Sequence, residues 1–215
     1  MCFNEEMSYF NFLILSLVAF IIRDKYRLSA TLFFLGIKDL IQGMSYTNIK
    51  NNKETKALTS LSWIHICFQP LFVNLFISHF DINNKLWKYI FIICLIFGFY
   101  YITKLNEFDI QNDKKCNDKS DYCADKTHSY IGKYHLGYKF NLNKDNNINF
   151  WMFLMFLPGL FTKSKIISIF WILFAGLIRI FFQNVNRGEL EAIWCFLSII
   201  YALPVALFSE YIKHY

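Results

Sequence analysis

Apolar runs recur along the chain, each bounded by a short polar break. They cover Ser8–Ile22, Leu28–Thr47, Thr59–His79, Leu86–Thr103, Asn149–Thr162, Ile166–Gln183 and Leu190–Tyr211. About 20 residues are needed to cross roughly 30 Å of hydrocarbon. The first and fifth runs are short for that task and the others are long enough. The pattern predicts an all-α fold, an integral membrane bundle of about seven transmembrane helices. Residues 1–215 then form a single seven-span domain, with an outer or lumenal loop at 104–148. There is no internal repeat, so an inverted-repeat transporter is not favoured.

Lysine and arginine in the short loops set the expected direction. With the N-terminus outside or lumenal, the inner loops hold Arg23, Lys25, Arg27, Lys85, Lys88, Lys163, Lys165 and Lys213, and the short outer loops hold Lys50, Lys53, Lys56 and Arg187. The bias favours that orientation. The opening MCFNEEMSYF is acidic where a signal peptide is basic, so the first apolar run is expected to be retained.

Composition supports a bilayer partner. The chain is 55% hydrophobic and 20% aromatic, with 18% charged residues. Its net charge of +6 is spread over many loops, so a nucleic-acid partner is not indicated. No phosphate-binding glycine loop, HExxH or CxxC occurs. Cys116 and Cys123, in CNDKSDYC, stand close enough in sequence for a disulfide in an oxidising compartment, or are two free thiols in a loop. Which membrane holds the chain (host endomembrane, plasma membrane or virion membrane) is left open.

Polar residues inside the apolar runs are the candidate chemistry, because charge in hydrocarbon is costly. Gly36, Asp39, Gln42, Gly43 and Tyr46 share one face of the second run by i, i+3, i+4, i+7 spacing. Ser62, His65 and Gln69 share a face of the third. Ala175, Gly176, Arg179 and Gln183 share a face of the sixth, and Glu191, Trp194, Cys195 and Ser198 a face of the seventh. Glu6, Ser8 and Asn11 open the first. Lys38 points about 100° away from Asp39 around the helix, so Arg179 is the expected partner of Asp39. All of these fall in the outer half of the expected bundle.

The expected site is therefore an outward-facing polar pocket lined by Glu6, Ser8, Asn11, Asp39, Gln42, His65, Gln69, Arg179, Gln183, Glu191 and Trp194. Three readings stand open: helix-to-helix glue, a site for a lipid, small molecule or ion, and a catalytic centre. Zinc is the cofactor to test, with Asp39, His65 and Glu191 as ligands, and Glu6 or Glu189 as other third ligands. His128 and His135 in the long loop are placed to fold over the pocket. A metal-bound water there could hydrolyse an amide or ester. Glu189 and Glu191 also fit a plain solvated helix start. A retinal protein is disfavoured, since the last run has no interior lysine.

The opening MCFNEEMSYF, with FFLGIKDLIQGMSY, LSWIHICFQPLFVNLF and GELEAIWCFLSI, resembles a family of uncharacterised multi-span proteins of bacteria, algae and large DNA viruses. Those proteins start Met-Cys-Phe-Ser; Asn4 stands here for the serine, and Asp39 where glutamate is usual. The resemblance implies an integral membrane protein and brings no activity. Seven spans, the Glu6, Ser8, Asn11 cluster and His65 also resemble the alkaline ceramidase superfamily, which implies a zinc-dependent membrane lipid hydrolase. The histidine pair that family carries in its last span is replaced here by GELEAIWCF. Besides the hydrolase stand a transporter or ligand-binding membrane protein with an Asp39–Arg179 charge pair, and a structural or assembly protein of a viral or endomembrane.

Overall fold

Asn4 starts the first helix. Its backbone is extended and its Oδ1 accepts from the Met7 amide at 2.9 Å, while Glu5 and Glu6 sit at the positive end of the helix dipole. The computed structural model describes residues 4–81, 84–105, 126–133, 135–142, 148–181, 189 and 199–212. Side chains at 52, 148, 149, 157, 158, 160, 170, 174, 175 and 177–181 are not described. The helices are α1 (Glu5–Ile21), α2 (Tyr26–Thr47), α3 (Asn52–Ser78), α4 (Leu86–Ile102), α5 (Ile148–Leu160) and α6 (Lys165–Phe181). Helical residues 199–207 form α7, and Ser209–Ile212 form α8.

Consecutive helices pack against each other, α1 on α2, α2 on α3, α3 on α4 and α5 on α6. Two glycines set the first contact. Gly36 receives Leu15 and Phe12, and a Cβ at Gly43 would lie 2.9 Å from the Tyr9 ring. Gly98 does the same for α4, where a Cβ would meet Phe68 of α3 at 2.8 Å. Small residues thus bring helix backbones close.

Inside α3, Pro70 has no amide to give the Ile66 carbonyl one turn earlier. The indole of Trp151, on α5, donates to that carbonyl at 2.9 Å. Asn74 closes the same seam: its Nδ2 donates to the Pro70 carbonyl at 2.7 Å and to the Leu154 carbonyl of α5 at 2.9 Å. The proline is held because neighbouring side chains take over its lost bond.

Two corrections follow. First, the long loop at 104–148 is not simply an open loop, and the fold is not all-α. Strands β1 (His128–Ile131) and β2 (Leu136–Lys139) form an antiparallel hairpin with His128 opposite Lys139 and Ile131 opposite Leu136. Leu136, Tyr138, Phe140 and Leu142 are all fully buried. Leu105, just after α4, bridges Leu142, and Trp63 of α3 packs on Phe140 at 4.8 Å between ring centroids.

Second, the seven-span membrane bundle does not stand. Among the described residues one helical stretch is long and apolar enough to cross a membrane, Lys53–Asp81. The apolar runs do form helices, but α1, α4 and α6 have 17 residues and α5 has 13. At 1.5 Å per residue these reach about 25 and 20 Å, short of roughly 30 Å of hydrocarbon. The 22 residues of α2 are long enough, yet include Arg27, Lys38 and Asp39. The first part of the expected seventh span, 190–198, lies outside the described residues. So does the Cys116–Cys123 pair; Cys67 and Cys94 are buried.

Candidate functional site: a buried polar seam beneath the hairpin

Helix α2 supplies the first wall. Positions 38, 39 and 42 are buried, with Lys38 fully so. The Lys38 ammonium lies 4.2 Å from the centroid of the Tyr138 ring on β2, a cation–π contact. Its charge also reaches Asp39, His65 and His135. Helical spacing alone turned Lys38 away from Asp39. The four-carbon stem carries its charge within reach of Asp39 all the same, while the Arg179 side chain of the expected Asp39–Arg179 pair lies outside the described residues. Asn11 of α1 hydrogen-bonds the Asp39 carboxyl.

Helix α3 supplies the second wall, with Ser62, His65 and Gln69 buried one turn apart. His65 Nε2 lies 2.8 Å from the Phe34 carbonyl oxygen, and its ring stacks on Phe34 at 3.8 Å and 13°. A carbonyl only accepts, so Nε2 carries the hydrogen. Nδ1 is then a lone pair, and it has no hydrogen-bond partner among the described residues. The same is true of Asp39 Oδ2, Gln42 Nε2 and Ser62 Oγ. Four buried polar atoms on two packed helices are left over.

The hairpin roofs the seam. His135 follows its turn and is 4% exposed. Its Nδ1 accepts from the Leu136 amide at 2.6 Å, and the same amide lies 3.0 Å from the Tyr46 hydroxyl of α2. Burial first, and the Lys38 charge second, push the His135 imidazole down to about 4. The His135 amide donates to Glu189 Oε2 at 3.0 Å. Glu189 lies against Gly132, where a Cβ would overlap its carboxylate. Ser129 on β1 meets Thr59 of α3 hydroxyl to hydroxyl at 2.6 Å. Glu189 is therefore a buried anchor for the hairpin, where a solvated helix start was one expectation.

Of the other expected pocket residues, Ser8 is buried and donates to the Asn4 carbonyl at 3.2 Å, and Gln69 is buried on α3. Glu6 is exposed in the first turn of α1. Arg179 lies on α6 with its side chain outside the described residues; Gln183, Glu191 and Trp194 lie outside them altogether. The structure thus places two of the three expected zinc ligands, Asp39 and His65, and not the third. Among the described residues no group of three or more His, Cys, Asp and Glu side chains could hold a metal ion. Lys38 and Tyr138 are the neighbours that the pocket expectation lacked; of the two histidines expected to fold over it, His135 is buried and His128 is exposed.

These features define a class: a mostly helical protein in which a short hairpin caps a buried polar seam. The chain belongs to a family of unknown function (DUF5765), whose family model matches residues 12–214. No curated protein and no solved structure matches it.

Proposed function

We propose that the protein is a membrane-seated binding protein whose seam between α2 and α3 takes a small polar ligand. The observation that carries the reading is the set of four leftover atoms: Asp39 Oδ2, Gln42 Nε2, Ser62 Oγ and His65 Nδ1. A buried polar group without a partner costs about 1–3 kcal/mol. Mere helix glue spends its polar groups on each other and leaves no such set. A ligand with both donors and acceptors would satisfy acceptors at Asp39 and His65 and the donor at Gln42.

The membrane part rests on the outer surface. Phe10, Leu13, Leu17 and Phe20 form an exposed apolar stripe on α1. Ile92, Ile96 and Phe99 are likewise exposed on α4, and Ile169, Ile172 and Leu173 on α6. Apolar surface of that extent marks contact with lipid or with another protein.

One observation favours a second reading, the zinc-dependent lipid hydrolase that the ceramidase resemblance suggests. A histidine that ligates metal commonly gives its other ring N–H to a carbonyl, as His65 gives Nε2 to Phe34. Against it, Lys38 would repel a divalent cation placed between Asp39 and His65. The transporter reading needs an Asp39–Arg179 gate, and the Arg179 side chain lies outside the described residues.

The two readings separate in one preparation. Protein purified gently in maltoside should carry zinc far below one ion per chain. Native mass spectrometry should show a small-molecule adduct that Asp39→Asn and His65→Leu remove. Zinc near one per chain, lost on His65→Leu, would replace the binding reading with the hydrolase; no adduct from any membrane extract would return the seam to helix glue.

A further inference from the structure

A second site stands at the start of α4, separate from the seam. Arg27, Lys85 and Lys88 line an open cleft of about 630 Å³, and Phe91, Ile92 and Leu95 line it further along α4. Lys88 and Leu95 are seven residues apart, about 10 Å along the helix. The cleft therefore has a cationic end and an apolar end.

The cations are not there for the helix. Lys85 is the N-cap of α4 without a side-chain cap bond, and Lys88 is in the first turn, where the helix dipole disfavours positive charge. Neither lysine pairs with a carboxylate among the described residues, where Lys25–Glu210 makes an ion pair at 3.0 Å. Arg27 is held in place: Nη1 donates to the Ser78 carbonyl at 2.8 Å and Nε to the Tyr26 hydroxyl at 2.9 Å. Nη2 has no partner among the described residues. Asp81, four residues before Lys85, is buried and accepts from Asn84 at 3.0 Å; neither it nor Asp24, three residues before Arg27, lines the cleft.

We propose that this cleft seats an anionic glycerophospholipid. The phosphate ester lies against Arg27, Lys85 and Lys88, and an acyl chain runs along Phe91, Ile92 and Leu95. A free phosphate would leave the apolar wall wet, and an apolar segment would leave three cations unmatched. The inference deepens the membrane reading above and rests on it for the supply of lipid.

The test uses the full chain in a neutral maltoside, titrated with short-chain lipids and inorganic phosphate. Dioctanoyl-phosphatidylglycerol should bind, and dioctanoyl-phosphatidylcholine should bind at least about tenfold more weakly. The exposed pair K85Q/K88Q should weaken the first by about thirtyfold with melting temperature unchanged. Equal binding of the two lipids, or no effect of the double substitution, overturns the site. Displacement by millimolar inorganic phosphate overturns the lipid in favour of a free anion. Flotation with phosphatidylcholine vesicles containing 30% phosphatidylglycerol (a mixture chosen for the assay) tests the membrane reading by itself. Lipid binding without flotation keeps the cleft and removes the membrane seat; flotation with no lipid preference does the reverse.

Discussion

Two seams along α3 bury polar groups, and they treat them differently. At the α3–α5 seam, Pro70 orphans the Ile66 carbonyl, and Trp151 takes it up. Asn74 spends its amide on Pro70 and Leu154, leaving only Oδ1 without a partner. At the α2–α3 seam, four atoms from four side chains are left over in a similar degree of burial. The first seam is structural accounting nearly closed. The second is open, and openness at a buried place is what a site requires and a scaffold avoids.

The largest expected effect tests the closed seam. Trp151→Ala should cost about 3–5 kcal/mol, combining a cavity with the lost indole bond. Trp151→Phe should cost about 1–3 kcal/mol, since the Ile66 carbonyl loses its donor inside the protein. Pro70→Ala, harmful or neutral alone, should recover part of the Trp151→Phe loss by returning a backbone amide to Ile66. Thermal melting of the four proteins measures the cycle. Strict additivity of the two changes would show that Trp151 does not stand in for the missing amide.

The next effect sharpens the roof of the open seam. His135 titrates at about 4 in the folded protein against 6.5 as a free side chain. Between those values the unfolded chain binds a proton that the folded one refuses. Stability therefore rises with pH across this window, is complete above about 6.5, and is lost as pH falls toward 4. The loss approaches about 3 kcal/mol from this residue. His135→Asn keeps an acceptor near the Leu136 amide without the titration. Melting at pH 7 and pH 4.5 should show a smaller drop for His135→Asn than for the parent; equal drops would mean that the hairpin histidine is solvated.

The sequence made the helices legible and the roof illegible, for physical reasons. Long apolar runs between polar breaks place α1 to α6 within about three residues, except the start of α3, which lies seven residues earlier at Asn52. They do not say whether a helix is held by lipid or by protein, because both reward the same side chains. Seven spans were therefore over-read from runs whose helices are short. Asp39 and His65 stood out because charge and imidazole are rare in such runs. The hairpin went unread although its signal is present: Leu136, Tyr138, Phe140 and Leu142 alternate with Gly137, Lys139 and Asn141. The flanking stretch rich in Lys, Asp and Asn hid that period of two. Lys38 was left out of the expected pocket because helical angle fixes a Cα–Cβ direction, and a lysine carries its charge four bonds further.

The smallest effect speaks most directly to the comparison. Ser62 is fully buried on α3, and its hydroxyl has no hydrogen-bond partner among the described residues. Ser45 is fully buried on α2, and its hydroxyl donates to the Ile41 carbonyl at 2.8 Å. Alanine at either position gains about 0.5 kcal/mol of helix propensity. At Ser45 that gain is offset by the lost bond, so Ser45→Ala should change stability little. At Ser62 nothing is lost in the ligand-free protein and a desolvated hydroxyl disappears, so Ser62→Ala should raise stability by about 1 kcal/mol. The sign of the difference between the two variants decides the matter, since propensity cancels. If Ser62→Ala is the more costly, the hydroxyl is already satisfied within the chain, and the α2–α3 seam is closed like its neighbour. If it stabilises the free protein and weakens the retained adduct, the serine is kept for the ligand at the expense of the fold.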